Sequence, residues 1–113
     1  MKLLKAYIRP EKAEDVYKAL KKQGFCCMTF VDCEGTGQNI TDDQEHLSVN
    51  YPFAETNKMI RVEILIPKEL VRQVVELIKQ NSRTGYQGDG MIIVSPVDEV
   101  YKIRTDETGV HAI

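Results

Sequence analysis

Residues 58–82 read KMIRVEILIPKELVRQVVELIKQNS, and the spacing of apolar positions changes inside them. Up to Pro67 the run is short and rich in Ile and Val, as a strand is. Beyond Pro67, Leu70, Val71, Val74, Val75 and Ile78 recur at helical spacing, which predicts a helix from Pro67 to about Ser82. The start of the chain repeats the plan. KLLKAYIRPEKAEDVYKALKKQG, residues 2–24, gives a strand over Lys2–Ile8 and a helix opened by Pro10. Glu11, Glu14 and Asp15 stand at that helix's positive end, while Ala13, Val16, Tyr17 and Leu20 share one face. Gly24 suits its C-terminal cap. FCCMTFVDC, residues 25–33, reads as a second strand, and MIIVS, residues 91–95, as a fourth. A short strand-like piece follows around Val100–Ile103.

The order β-α-β-β-α-β predicts an α+β, ferredoxin-like domain spanning residues 1–113. Helices then cover one face of the sheet only. RVEILI and MIIV carry apolar residues at neighbouring positions, so both faces look buried, and self-association is expected to cover the second. Between strands two and three lie about 20 polar residues, too many for an ordinary connection in so small a domain and therefore a candidate functional loop.

The bulk numbers bound the function. The chain has 113 residues, 42% hydrophobic and 28% charged, with a net charge of −2. That fits one globular domain and argues against general nucleic-acid binding, which needs a basic surface. No apolar run approaches the roughly 18 residues of a membrane span. Cys26, Cys27 and Cys33 are odd in number and close together, so a disulfide framework is not expected and a cytoplasmic location is. Cys27 and Cys33 would share a strand face, with Cys26 pointing the other way, as small buried strand residues. No metal site and no acid–base constellation is legible, and His46 and His111 are isolated. An enzyme is not expected.

Three features point to a ligand. TGYQGDG, residues 84–90, follows a helix and precedes a strand. It reads either as a cap and tight turn or as a backbone cradle for phosphate oxygens. GTG, residues 35–37, closes strand two. Lys102 and Arg104 alternate about Ile103 and would project from one face of an extended chain, as a polyphosphate clamp or as a solvated strand edge.

Together these segments resemble the PII nitrogen-regulatory signal proteins. The similarity rests on MKLLKAYIRPEK at the start, MTFVDCEGTGQ, KMIRVEILI, and RTGYQGDGMIIVSPVDEVYKIRTDETGVHAI at the end. It covers nearly the whole chain except the middle of the long loop. What the resemblance implies is a non-enzymatic homotrimer that binds adenine nucleotide (ADP, AMP or ATP, the last with magnesium) between subunits. The long loop, about residues 36–57, would be the T-loop that docks on a target transporter or metabolic enzyme. Carried over by position, Gln87, Gly88, Asp89, Gly90 and Met91 would face the phosphates. Gly35, Thr36, Gly37 and Gln38 would face the same nucleotide, with Thr29 and Glu63 near its adenine or ribose end. Lys102 and Arg104 would arrive from the neighbouring subunit. Gln38, Asn39 and Lys58, with Met59 as the competing alignment for Lys58, are the candidates for an effector, 2-oxoglutarate or bicarbonate, and Tyr51 and Phe53 for partner contact. The departures concern charge: Gln38 and Asn39 replace the family's usual Arg-Gln, Met91 its usual lysine, and Lys102 its usual arginine. Weaker hold on a triphosphate follows, hence a bias toward ADP or AMP. A second reading of the same resemblance is an AMP/ADP sensor tied to inorganic-carbon or other anion handling.

Overall fold

The computed structural model describes residues 1–36 and 58–113. Its elements are β1 (Lys2–Ile8), α1 (Ala13–Lys22), β2 (Met28–Glu34), β3 (Lys58–Ile66), α2 (Val71–Ser82) and β4 (Met91–Pro96). The four strands form one antiparallel sheet in the order β2-β3-β1-β4. This is the α+β, ferredoxin-like arrangement that the two strand–Pro–helix repeats predict.

A single 3-10 turn precedes each α-helix: Pro67 caps Lys68–Leu70 from outside in extended conformation, and Pro10 is the first residue of Pro10–Lys12. Proline fixes the φ that a first turn needs and lacks only an N–H that would be unpaired there. At the other end of α1 the amide of Phe25 donates to the carbonyl of Leu20, and that of Gly24 to Lys21. With Gly24 at φ 91° this is a Schellman cap, which a residue with a Cβ would resist. Residues 25–27 are spent leaving that cap, so β2 starts at Met28 rather than at Phe25.

The core lies between helices and sheet. Leu4, Ala6 and Ile8 of β1 and Val62, Ile64 and Ile66 of β3 alternate inward to meet Val16 and Leu20 of α1 and Val74 and Ile78 of α2. Their burial supplies most of the domain's stability, at about 2 kcal/mol for each large side chain. Tyr17 does not join them. It stands at the rim, half exposed, with its ring edge-on to Phe30 at 6.0 Å.

The opposite sheet face is only partly covered. Leu3, Lys5 and Tyr7 keep intermediate exposure, and Ile93 is 44% exposed. The sequence reading of two buried faces therefore holds for one face in the single chain. The tail also departs from expectation. Residues 100–109 form a tight hairpin rather than a strand: Lys102 N–H donates to Glu107 O, Asp106 N–H to Lys102 O, and Gly109 N–H to Val100 O. Its tip holds Ile103, 98% exposed.

Candidate functional site

The loop between α2 and β4 is built around one carboxylate. Asp89 accepts from the Arg9 Nε at 2.9 Å, from the amides of Thr84 and Gly85, each at 2.9 Å, and from the Thr84 hydroxyl. Arg9 also donates through Nη2 to the carbonyl of Gln87 at 2.7 Å. One guanidinium, projecting where β1 ends, thus grips both the aspartate and the main chain two residues before it. The side chains of Arg9 and Asp89 are each 24% exposed, so the pair is only partly screened by water.

Four donors on one carboxylate favour its charged form, the Thr84 hydroxyl most, and hold the Asp89 carboxyl well below the ordinary range. A carboxylate lowered in the folded state stabilises that state fully above its unfolded pKa of about 3.9. The contribution is lost as pH falls through the lower folded value. Wild-type protein should therefore lose stability below about pH 4 more steeply than Asp89→Asn, which has no charge there to lose. Urea midpoints of both proteins at pH 6 and pH 3 check this; parallel losses would contradict it.

Gly90 completes the loop by close approach. Its φ is 95°, and a Cβ there would overlap the carbonyl oxygen of Tyr7. The loop can lie flat on the end of β1 only because this residue has no side chain. The Met59 side chain links the two glycine segments, since a Cβ at Gly90 would lie 3.3 Å from Met59 Cε and one at Gly35 3.7 Å from Met59 Cγ. Gly35 and Thr36, which follow β2, therefore end close to the 84–90 loop.

The structure gathers Gly35, Thr36, Gln87, Gly88, Asp89, Gly90 and Met91 at one end of the sheet. Thr29 and Glu63 are register partners across β2 and β3, on the face free of helices. Glu63 has Arg61 Nε at 3.7 Å, near enough for attraction but too long for a hydrogen bond. Strand β4 is three strand spacings from β2, so Thr29 stands about 14 Å from it. Lys102 and Arg104 belong to the tail that follows β4. β4 begins beside Tyr7 and ends beside Lys2, so the tail departs from the far end of the sheet. Both are exposed on the hairpin's turn, where main-chain bonds close the chain on itself, and the extended-face geometry expected for them is corrected accordingly. Lys58 is the register partner of Glu34. Gly37, Gln38, Asn39, Tyr51 and Phe53 fall outside the described residues.

Asp89 changes role. A carboxylate occupied by four donors supports the loop. Arg9 escaped the sequence reading, being 80 positions away and looking like a charge that ends a strand. A cleft of about 400 Å³ runs beside the loop between α2 and β4, lined by Tyr7, Asp89, Gly90 and Met91, with Lys79 and Arg83 from the end of α2.

Cys26 and Cys27 also depart from expectation. Both are exposed, and their sulfurs are joined as a vicinal disulfide instead of pointing apart. The pair links adjacent residues, so it braces no two elements against each other. Cys33 is a free, partly buried thiol whose Sγ lies 3.6 Å from the carbonyl oxygen of Met59, and burial raises its pKa. Among the described residues no group of three or more His, Cys, Asp or Glu could hold a metal ion. No described helix is long and apolar enough to cross a membrane.

Comparison with known proteins agrees with this architecture. The family model "Nitrogen regulatory protein P-II" matches residues 1–107. The chain is 39% identical over 113 residues to the nitrogen regulatory protein P-II 2 of Methanothermobacter thermautotrophicus, covering all of this chain and 97% of that one. It is 34% identical over 109 residues to the nitrogen fixation nifHD region glnB-like protein 1 of Methanococcus maripaludis, covering 96% and 99%. Against the nitrogen regulatory protein P-II of Rhizobium meliloti it is 35% identical, over the full length of both chains. The chain belongs to the nitrogen regulatory protein P-II family.

Proposed function

We propose that this protein is a nitrogen-regulatory signalling protein, not an enzyme, that assembles as a homotrimer and binds an adenine nucleotide between neighbouring copies. Family membership supports the regulatory role. The observation that carries the nucleotide reading is the braced glycine loop. Its only carboxylate is turned onto Arg9, Thr84 and Gly85, so the segment 87–90 offers main chain rather than negative charge to a ligand. Successive main-chain groups in such turns make anion-binding concavities.

The separation of the other expected ligands supports a shared site. Thr29 and Glu63 lie across the sheet, and the hairpin carrying Lys102 and Arg104 leaves its far end. A ring of copies could bring these groups together across subunit seams. The half-covered sheet face and the exposed Ile103 are surfaces that such a ring would bury.

The segment over about residues 36–57 is the proposed contact with a target transporter or enzyme, with Tyr51 and Phe53 as anchors. Gln38, Asn39 and Lys58 are proposed to take 2-oxoglutarate or bicarbonate. Nucleotide and effector act by differential affinity for two states of this segment, the only way a ligand shifts such an equilibrium. Three relatives are named for the nifHD region of nitrogen fixation, which favours a nitrogen-linked target over an inorganic-carbon one.

Met91, 63% exposed beside the loop, brings no charge to a γ-phosphate. Titrations with ADP, AMP and magnesium-ATP, each with and without 2-oxoglutarate and bicarbonate, should find ADP or AMP bound at least as tightly as ATP. Met91→Lys should strengthen ATP about tenfold relative to ADP, one charge-assisted contact. ATP tenfold tighter than ADP in the wild type would reverse the assignment.

A further inference from the structure

We propose that Cys26 and Cys27 form a reversible dithiol–disulfide site on the surface of this protein, closed by exchange with a small disulfide such as oxidised glutathione. The pair sits on the short connection from the Gly24 cap to the start of β2, with both residues exposed and their sulfurs joined. Redox-responsive cysteines combine solvent access with a neighbouring thiol able to resolve the first adduct, and adjacency in the chain guarantees that neighbour. Cys33 is the internal contrast. It is partly buried, within reach of a main-chain carbonyl, and has no second thiol beside it.

The chemistry balances through glutathione. One of the two thiolates attacks a sulfur of oxidised glutathione, breaking its S–S bond and releasing one glutathione thiolate, which takes up the proton. The neighbouring cysteine then attacks the mixed disulfide, forming the Cys26–Cys27 bond and expelling the second glutathione as its thiol. Two electrons and two thiol hydrogens pass to glutathione, and excess dithiothreitol reverses the exchange. A transient bridge of this kind is the form in which disulfides occur in reducing compartments. Cys27 stands two residues before Thr29, so closure fixes the backbone that leads into the Thr29–Glu63 pair.

The full chain, without nucleotide, is incubated with oxidised glutathione, then denatured, alkylated with N-ethylmaleimide and weighed intact. The oxidised protein should take one alkyl group, at Cys33, and carry no glutathione; dithiothreitol treatment first should give three. Cys27→Ser should retain one glutathione on Cys26, lacking the resolving thiol, and Cys33→Ser should close as the wild type does. Three alkyl groups on the oxidised wild type, retained glutathione, or chains crosslinked to one another on a non-reducing gel would each overturn the proposal. The readout needs no nucleotide, so it stands or falls apart from the nucleotide reading.

Discussion

Gly90→Ala should destabilise the domain by about 4 kcal/mol or more, beyond the range of ordinary single substitutions. Two costs add. The backbone sits at φ 95°, where a side chain costs about 1 kcal/mol or more. The new methyl group would also overlap the carbonyl oxygen of Tyr7, and that oxygen belongs to β1, paired on both sides with β3 and β4. A strand held from both edges cannot move aside cheaply. Gly85→Ala separates the two costs: φ is 89°, but nothing lies within 4 Å of an added Cβ, so only the backbone cost remains. Denaturant unfolding of both variants measures the difference. Equal losses would mean that the loop lifts off β1 at no cost.

Asp89→Ala should cost about 2–3 kcal/mol and weaken adenine-nucleotide binding along with it. The substitution leaves the Arg9 guanidinium, the Thr84 hydroxyl and two amides without their acceptor. Leaving such partly buried donors unsatisfied costs more than the hydrogen bonds themselves contribute. Because Arg9 also holds the Gln87 carbonyl, releasing it frees both ends of the glycine segment. Arg9→Ala should reproduce the effect from the other side, and the double variant should lose little more than either single one. Additive losses would show that the two residues act separately, and nucleotide binding unchanged in Asp89→Ala would show that the brace does not shape the site.

The fold was legible where local chemistry and periodicity agree. Pro10 and Pro67 mark both helix starts, Gly24 one helix end, and Val16, Leu20, Val74 and Ile78 lie inward as their spacing requires. The tail was not legible, because the alternation of Lys102, Ile103 and Arg104 is also compatible with a hairpin turn. The turn is fixed by bonds between residues that pattern alone does not pair: Thr105 with Glu107 by side chains, Lys102 with Asp106 and Glu107 by main chain. The glycine loop stood out in the sequence, but its brace did not. Arg9 and Asp89 are separated by 80 residues, and only the pairing of β1 with β4 brings them together. The hydrogen bonds by which Asp89 braces the loop are therefore visible only in the structure.

The most direct measurement is a calorimetric titration of the assembled protein with ADP, its size determined in the same sample by light scattering. The account predicts a particle three times the 12.9 kDa chain that takes up ADP saturably, one per chain. A correctly sized trimer with no saturable heat for ADP, AMP or ATP would contradict it.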